Sequence, residues 1–246
     1  MRKLLKVLLA VAMVAPAFAL ADNIAATKHN FTPSSLFTAT VRTSWDEICV
    51  FCHTPHNPAG QTKLLWNRTN PTADGWTAGN TTTMGTQLPT AVSSVSAYCL
   101  SCHDGATAIG SVTNTSNRLG AITYSGTNVD AQGRINGTTT RLNTNLQGSH
   151  PVSVPYPRTG KLGYGSVPAS GADPTTYNAP VSAGCVGAAN CPGGTAAGAS
   201  IPLYTDGSGR LGIECGSCHD PHNNAFGSFL RLANTGSQLC LACHIK

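Results

Sequence analysis

Residues 49 to 57 read CVFCHTPHN, and residues 215 to 223 read CGSCHDPHN. The two stretches agree at six of nine positions. Each opens with C-x-x-C-H, the spacing that attaches a c-type haem. On one helical turn Cys49, Cys52 and His53 stand at i, i+3 and i+4 and share a face. Two thiols on that face can add across the vinyl groups of one porphyrin as thioethers, while the histidine offers its iron an axial nitrogen.

Two further copies lack the second histidine: CLSCH at 99–103 and CLACH at 240–244. The candidate attachment residues are thus Cys49, Cys52, Cys99, Cys102, Cys215, Cys218, Cys240 and Cys243, eight of the ten cysteines. The candidate proximal ligands are His53, His103, His219 and His244. A zinc ribbon also uses C-x-x-C, but an adjacent histidine has no fixed place there. Four copies, each with that histidine, predict four covalent haem c groups.

The motifs fall into two pairs, each with a C-x-x-C-H-x-P-H-N member followed by a C-L-x-C-H member. An internal duplication is the economical reading. It divides residues 22–246, a single tetrahaem domain, into a first haem pair (22–104), a coil-rich insert (105–213) and a second haem pair (214–246). The insert is poor in charge and rich in Gly, Thr, Asn and Pro, with faint alternation in LGAITYSG and HPVSVPYP that predicts small strands and turns. Within it Cys185 and Cys191 lack a following histidine and are expected to form a disulfide, free thiols being the alternative.

Residues 1–21 have a basic start, an apolar run and a small-residue end, the pattern of a secretory signal peptide cut after Ala21. The run is short for a membrane span. The expected location is secreted, extracellular or cell-surface, with the periplasm as the alternative. Without Arg2, Lys3 and Lys6 the net charge of +5 falls to +2, and haem propionates tip it negative. No basic run supports nucleic-acid binding.

Six Phe and six Tyr are few for an ordinary core in this chain. Porphyrins can supply the missing flat apolar surface, with Trp45, Trp66 and Trp76 packing on them. The expected fold is therefore mostly coil with short helices and a few small strands, a haem-organised multihaem cytochrome c fold.

Of the eight histidines, four remain after the proximal set: His29, His56, His150 and His222. They match the four distal positions in number, and a neutral imidazole is a good haem ligand. In the alternative, one or two lie on the surface and Met84 ligates or a site stays open. Pro55 drives Thr54 out of helical conformation, so His56 leaves the turn of its own haem and suits a different iron; His222 after Pro221 behaves alike. Filled axial positions favour electron transfer over catalysis. A multihaem reductase would need an open iron.

ATKHNF (26–31), CVFCHTPHN, CLSCHDG, GSHPVSVPYP, CGSCHDPHNN and LCLACH together resemble the extracellular multihaem cytochromes of metal-reducing bacteria, most closely the tetrahaem outer-membrane cytochrome E (OmcE) type. The resemblance implies filaments in which haems form a continuous chain, conducting electrons over long range to metal oxides or electrodes from upstream periplasmic or outer-membrane cytochromes. It also implies one distal histidine donated by an adjacent subunit. His56 is the candidate, reaching the third haem (His219) of a neighbour. The remaining assignments place His29 on the first haem, His150 on the second and His222 on the fourth. A soluble periplasmic tetrahaem shuttle is the competing reading.

Overall fold

The computed structural model describes residues 23–37, 40–58, 64–69, 94–149, 152–156, 185–187, 200–205 and 211–244. The expected signal peptide, His150, Met84, Trp76 and Cys191 lie outside the described residues, and with Cys191 the expected disulfide. Most of the described chain is coil, as the composition predicts. Its longest helix, α1, is Ser94–His103. Two single-turn helices follow late in the chain, α2 at Cys215–Cys218 and α3 at Gln238–Leu241.

Small side chains let α1 sit deep in the structure. Ser96, Ala97, Leu100 and Ser101 are all buried, and their modest volumes allow neighbouring backbone to approach closely. The helix stops at Asp104-Gly105. Gly105 has φ +69, the left-handed conformation a helix end requires and glycine adopts without steric cost. A β-carbon there would also strike the Arg141 side chain.

Seven short strands form three small antiparallel sheets among the described residues. Strand β1 (Arg42–Thr43) pairs β2 (Tyr124–Ser125), with Arg42 opposite Ser125. Strands β3 (Val154–Pro155), β6 (Tyr204–Thr205) and β7 (Leu211–Ile213) make a sheet in the order β3-β7-β6. Pro155 sits on its edge strand, where a missing N–H costs least. Strand β4 (Cys185–Gly187) pairs β5 (Ser200–Pro202).

A modest apolar core exists alongside any porphyrin surface, which refines the expectation that cofactors replace it. Phe31, Val41, Trp45, Val50, Phe51, Ile109, Val129 and Ile135 form one buried cluster, with Cys52 and Cys102 packed against it. Ala97, Leu100 and Leu146 form a second, and Tyr156 and Leu203 a third that Cys243 touches. The first part of the coil-rich insert thus packs directly onto the first pair of motifs, and the attachment cysteines border the apolar regions.

Candidate haem sites

All four motifs adopt the compact turn their spacing requires. The His53 N–H donates to the Cys49 carbonyl at 2.8 Å, His219 to Cys215 at 3.0 Å and His244 to Cys240 at 2.9 Å, while the second motif is the last turn of α1. None of the eight motif cysteines is in a disulfide. Burial pushes the Cys52 thiol up to about 12, which holds it neutral in an apolar setting.

The proximal rings are oriented through Nδ1. That atom of His53 lies 2.6 Å from the Leu64 carbonyl, that of His103 2.7 Å from Thr140, and that of His219 2.8 Å from Ser228. Donation of the Nδ1 proton to a carbonyl fixes the tautomer and leaves Nε2 for a metal, the usual arrangement around a ligating histidine. The turns, their unpaired cysteines and the oriented rings of His53, His103 and His219 fit covalent haem c.

The two C-x-x-C-H-x-P-H-N motifs share more than their letters. In each, the chain loops back and lays a return segment along the motif. Thr54 N–H donates to Leu65 at 2.8 Å, and Asp220 N–H to Phe229 at 2.7 Å. Asn67 N–H donates to Cys52 and Arg231 N–H to Cys218, both at 2.9 Å. Even the side chains correspond, since Asn67 Nδ2 donates to Val50 at 2.6 Å and Arg231 Nε to Gly216 at 2.7 Å. Leu65 and Phe229 have φ +50 and +57. Thr54 and Asp220 each accept the backbone N–H of the second histidine through their side chains, which explains why Thr or Asp precedes the proline. Residues 64–67 and 228–231 are therefore structural counterparts that sequence comparison of LLWN with SFLR does not suggest.

Two other residues escaped the sequence reading. Buried Arg68 donates Nε to Ser101 Oγ at 3.1 Å, Nη1 to the Ile109 carbonyl at 2.5 Å and Nη2 to the Ser101 and Ala108 carbonyls at 2.7 Å each. It ties the first return segment to the second motif. Buried Glu214 caps α2 and accepts from Ser96 and Ser153 hydroxyls, joining the second motif to the third. The Glu three residues before Ser217 is the one available sequence signal, a reversed capping box.

The motif turns follow one another in chain order. Cys52 and Cys102 pack against one apolar cluster, the Cys215 N–H donates to Ser96 Oγ of α1 at 3.1 Å, and Ile213, just ahead of the third motif, shares an apolar cluster with Cys243 of the fourth. First meets second, second meets third, and third meets fourth.

The remaining histidines fall out differently from the expected pairing. His29 is beside His103 of the second motif, with ring centres 6.1 Å apart, instead of beside His53. His222 is beside His53 of the first motif, 6.2 Å centre to centre, instead of beside His244. The packing of one repeat on the other causes both differences. His29 Nδ1 is held 3.2 Å from the Pro221 carbonyl and its ring stacks on Phe229 at 4.3 Å, so the third motif carries it toward the second. Burial, then the nearby His103, pushes its pKa down to about 4 and keeps it in the neutral form that ligates metal. His56 is exposed.

Trp66 is buried with its ring centre 6.0 Å from His53 and 4.7 Å from Tyr98. Trp45 stacks on Phe51 in the first core cluster and donates Nε1 to the Gly120 carbonyl at 2.8 Å.

A family model described as a doubled CXXCH motif matches residues 210–246, the second repeat. A search of the curated proteins gives no match. The doubled motif is a mark of multihaem c-type cytochromes, and it supports covalent haem c and electron transfer as the chemistry of this chain.

Proposed function

We propose that the chain carries four bis-histidine haems and conducts electrons along them, copy to copy, as an extracellular filament delivering electrons to external acceptors. The observation that carries this reading is the packing of the motif turns one against the next in chain order. Bound haems supply one-electron chemistry; the chain's residues anchor, orient and space them. Two imidazoles on each iron leave no position for a small substrate and change little on reduction, which suits transfer over catalysis.

The repeats support assembly. Within one chain the second repeat presents His222 to His53 of the first. The same step taken across a head-to-tail contact carries exposed His56, the counterpart of His222, to His219 of another copy. A contact of this heterologous kind builds a filament when its rotation does not close a ring. Metal ligation across it would strengthen an interface that has few large apolar residues to bury.

Cryo-electron microscopy of the purified holoprotein, beside its His56→Ala variant, tests the proposal. Filaments from the parent and dispersed subunits with four haems from the variant are the expected result. Filaments from His56→Ala overturn the ligand role, and discrete parent monomers with every iron internally ligated point to a soluble shuttle.

A further inference from the structure

We propose which distal ligands serve the first two haems: His222 of the second repeat closes the iron held by His53, and His29, steadied by the second repeat, closes the iron held by His103. This rests on the reading of the four motifs as haem sites and adds which histidine serves which iron.

Distance carries the first step. An imidazole nitrogen binds a metal at about 2 Å and lies roughly 1.2 Å from its ring centre, so two rings on opposite sides of one iron have centres about 6 Å apart. The two observed separations, 6.2 Å for His53 and His222 and 6.1 Å for His29 and His103, meet that requirement. Other ring pairs share such a spacing, among them His53 and Trp66 at 6.0 Å, so the distance is necessary for shared ligation and orientation must select the partners.

Orientation carries the second. His53, His103 and His29 each turn Nδ1 toward a backbone carbonyl. His222 turns Nδ1 toward Asp220 Oδ1 at 3.8 Å. In the first three rings the carbonyl contact leaves Nε2 for iron, the arrangement that orients metal-bound histidine, and in His222 the carboxylate stands on the same Nδ1 side beyond hydrogen-bond distance. Asp220 is itself fixed, since it accepts the His222 backbone N–H at 3.0 Å and pairs with Arg231 at 3.0 Å. His222 is thus aimed by the second repeat at the first.

The two pairs differ in one measurable respect. The His53 and His222 planes are 20° apart, whereas those of His29 and His103 are 65° apart. Near-parallel imidazoles split the iron dπ orbitals and give a resolved rhombic low-spin resonance. Crossed imidazoles leave those orbitals nearly degenerate and give a highly anisotropic signal with a large principal g value.

The test is electron paramagnetic resonance of the oxidised full-length holoprotein and its variants, with the haem count read by mass. His222→Ala is expected to remove a rhombic signal and turn about one quarter of the iron high-spin. His29→Ala is expected to remove a large-g signal instead. To identify the iron, His222→Ala is repeated in a chain whose first haem is deleted by Cys49→Ala and Cys52→Ala. No further high-spin gain there supports the assignment, and a gain overturns it, because His222 then serves another haem. If the deleted chain fails to fold, a density map of the parent holoprotein decides: any residue other than His222 opposite His53 on the iron of Cys49 and Cys52 overturns the proposal. A parent mass short of four haems overturns the reading beneath it instead.

Discussion

Arg68 is a buried cation whose hydrogen bonds go to three backbone carbonyls and a serine hydroxyl, with no carboxylate among those partners. Such a group is costly to desolvate and is kept only when its donors are satisfied. Removing it strands the Ser101, Ala108 and Ile109 acceptors in a buried site, each at a penalty of about 1 kcal/mol or more. Arg68→Leu is therefore expected to cost about 3 kcal/mol of folding stability, read as a lowered denaturant midpoint by circular dichroism on the haem-loaded chain. Arg68→Lys restores little, because one ammonium cannot reach four acceptors spread around a planar fork. Nothing in the letters N-R-T marked this arginine; its importance lies in contacts formed over long separations in the chain.

At the scale of the element, the unit is a motif turn plus its return segment. The motif turns, short helices and small strands were legible because motif spacing, helix geometry and local alternation mark them in the sequence. The return segments were not, because what Leu65 and Phe229 share is a left-handed backbone angle, which neither side chain advertises. Axial pairing was equally hidden. Proline told that His56 and His222 leave their own turns, but direction depends on how the repeats pack. The shared angle permits a matched comparison. Glycine relieves a left-handed strain of about 1 kcal/mol and returns part of that as unfolded-chain entropy, so Leu65→Gly should change stability by under about 1 kcal/mol. Phe229→Gly gains the same relief but removes the ring beneath His29, and should come out about 1–2 kcal/mol worse than its counterpart. Chemical denaturation of the two variants side by side measures the difference.

For the whole molecule, the proposed assembly would link subunit contact and iron chemistry through His56. If a neighbour's His56 fills the third haem, dissociated subunits carry one iron lacking its sixth ligand, and filaments carry none. Reduced filaments should bind almost no carbon monoxide, while reduced subunits should bind about one per chain, measured by difference spectroscopy. Equal binding by both forms would sink the link. Exposed Leu64 and Leu65 beside His56, at 45% and 43% of full exposure, place apolar surface where such a contact would form.

If His222 closes the iron held by His53, the two ligands of that site come from distant parts of the sequence. A haem anchored at Cys49 and Cys52 would then receive its second imidazole only once the second repeat had docked on the first, and until then its iron would be open to foreign ligands and oxygen. Closure of the first site would thus report that the two repeats had packed together.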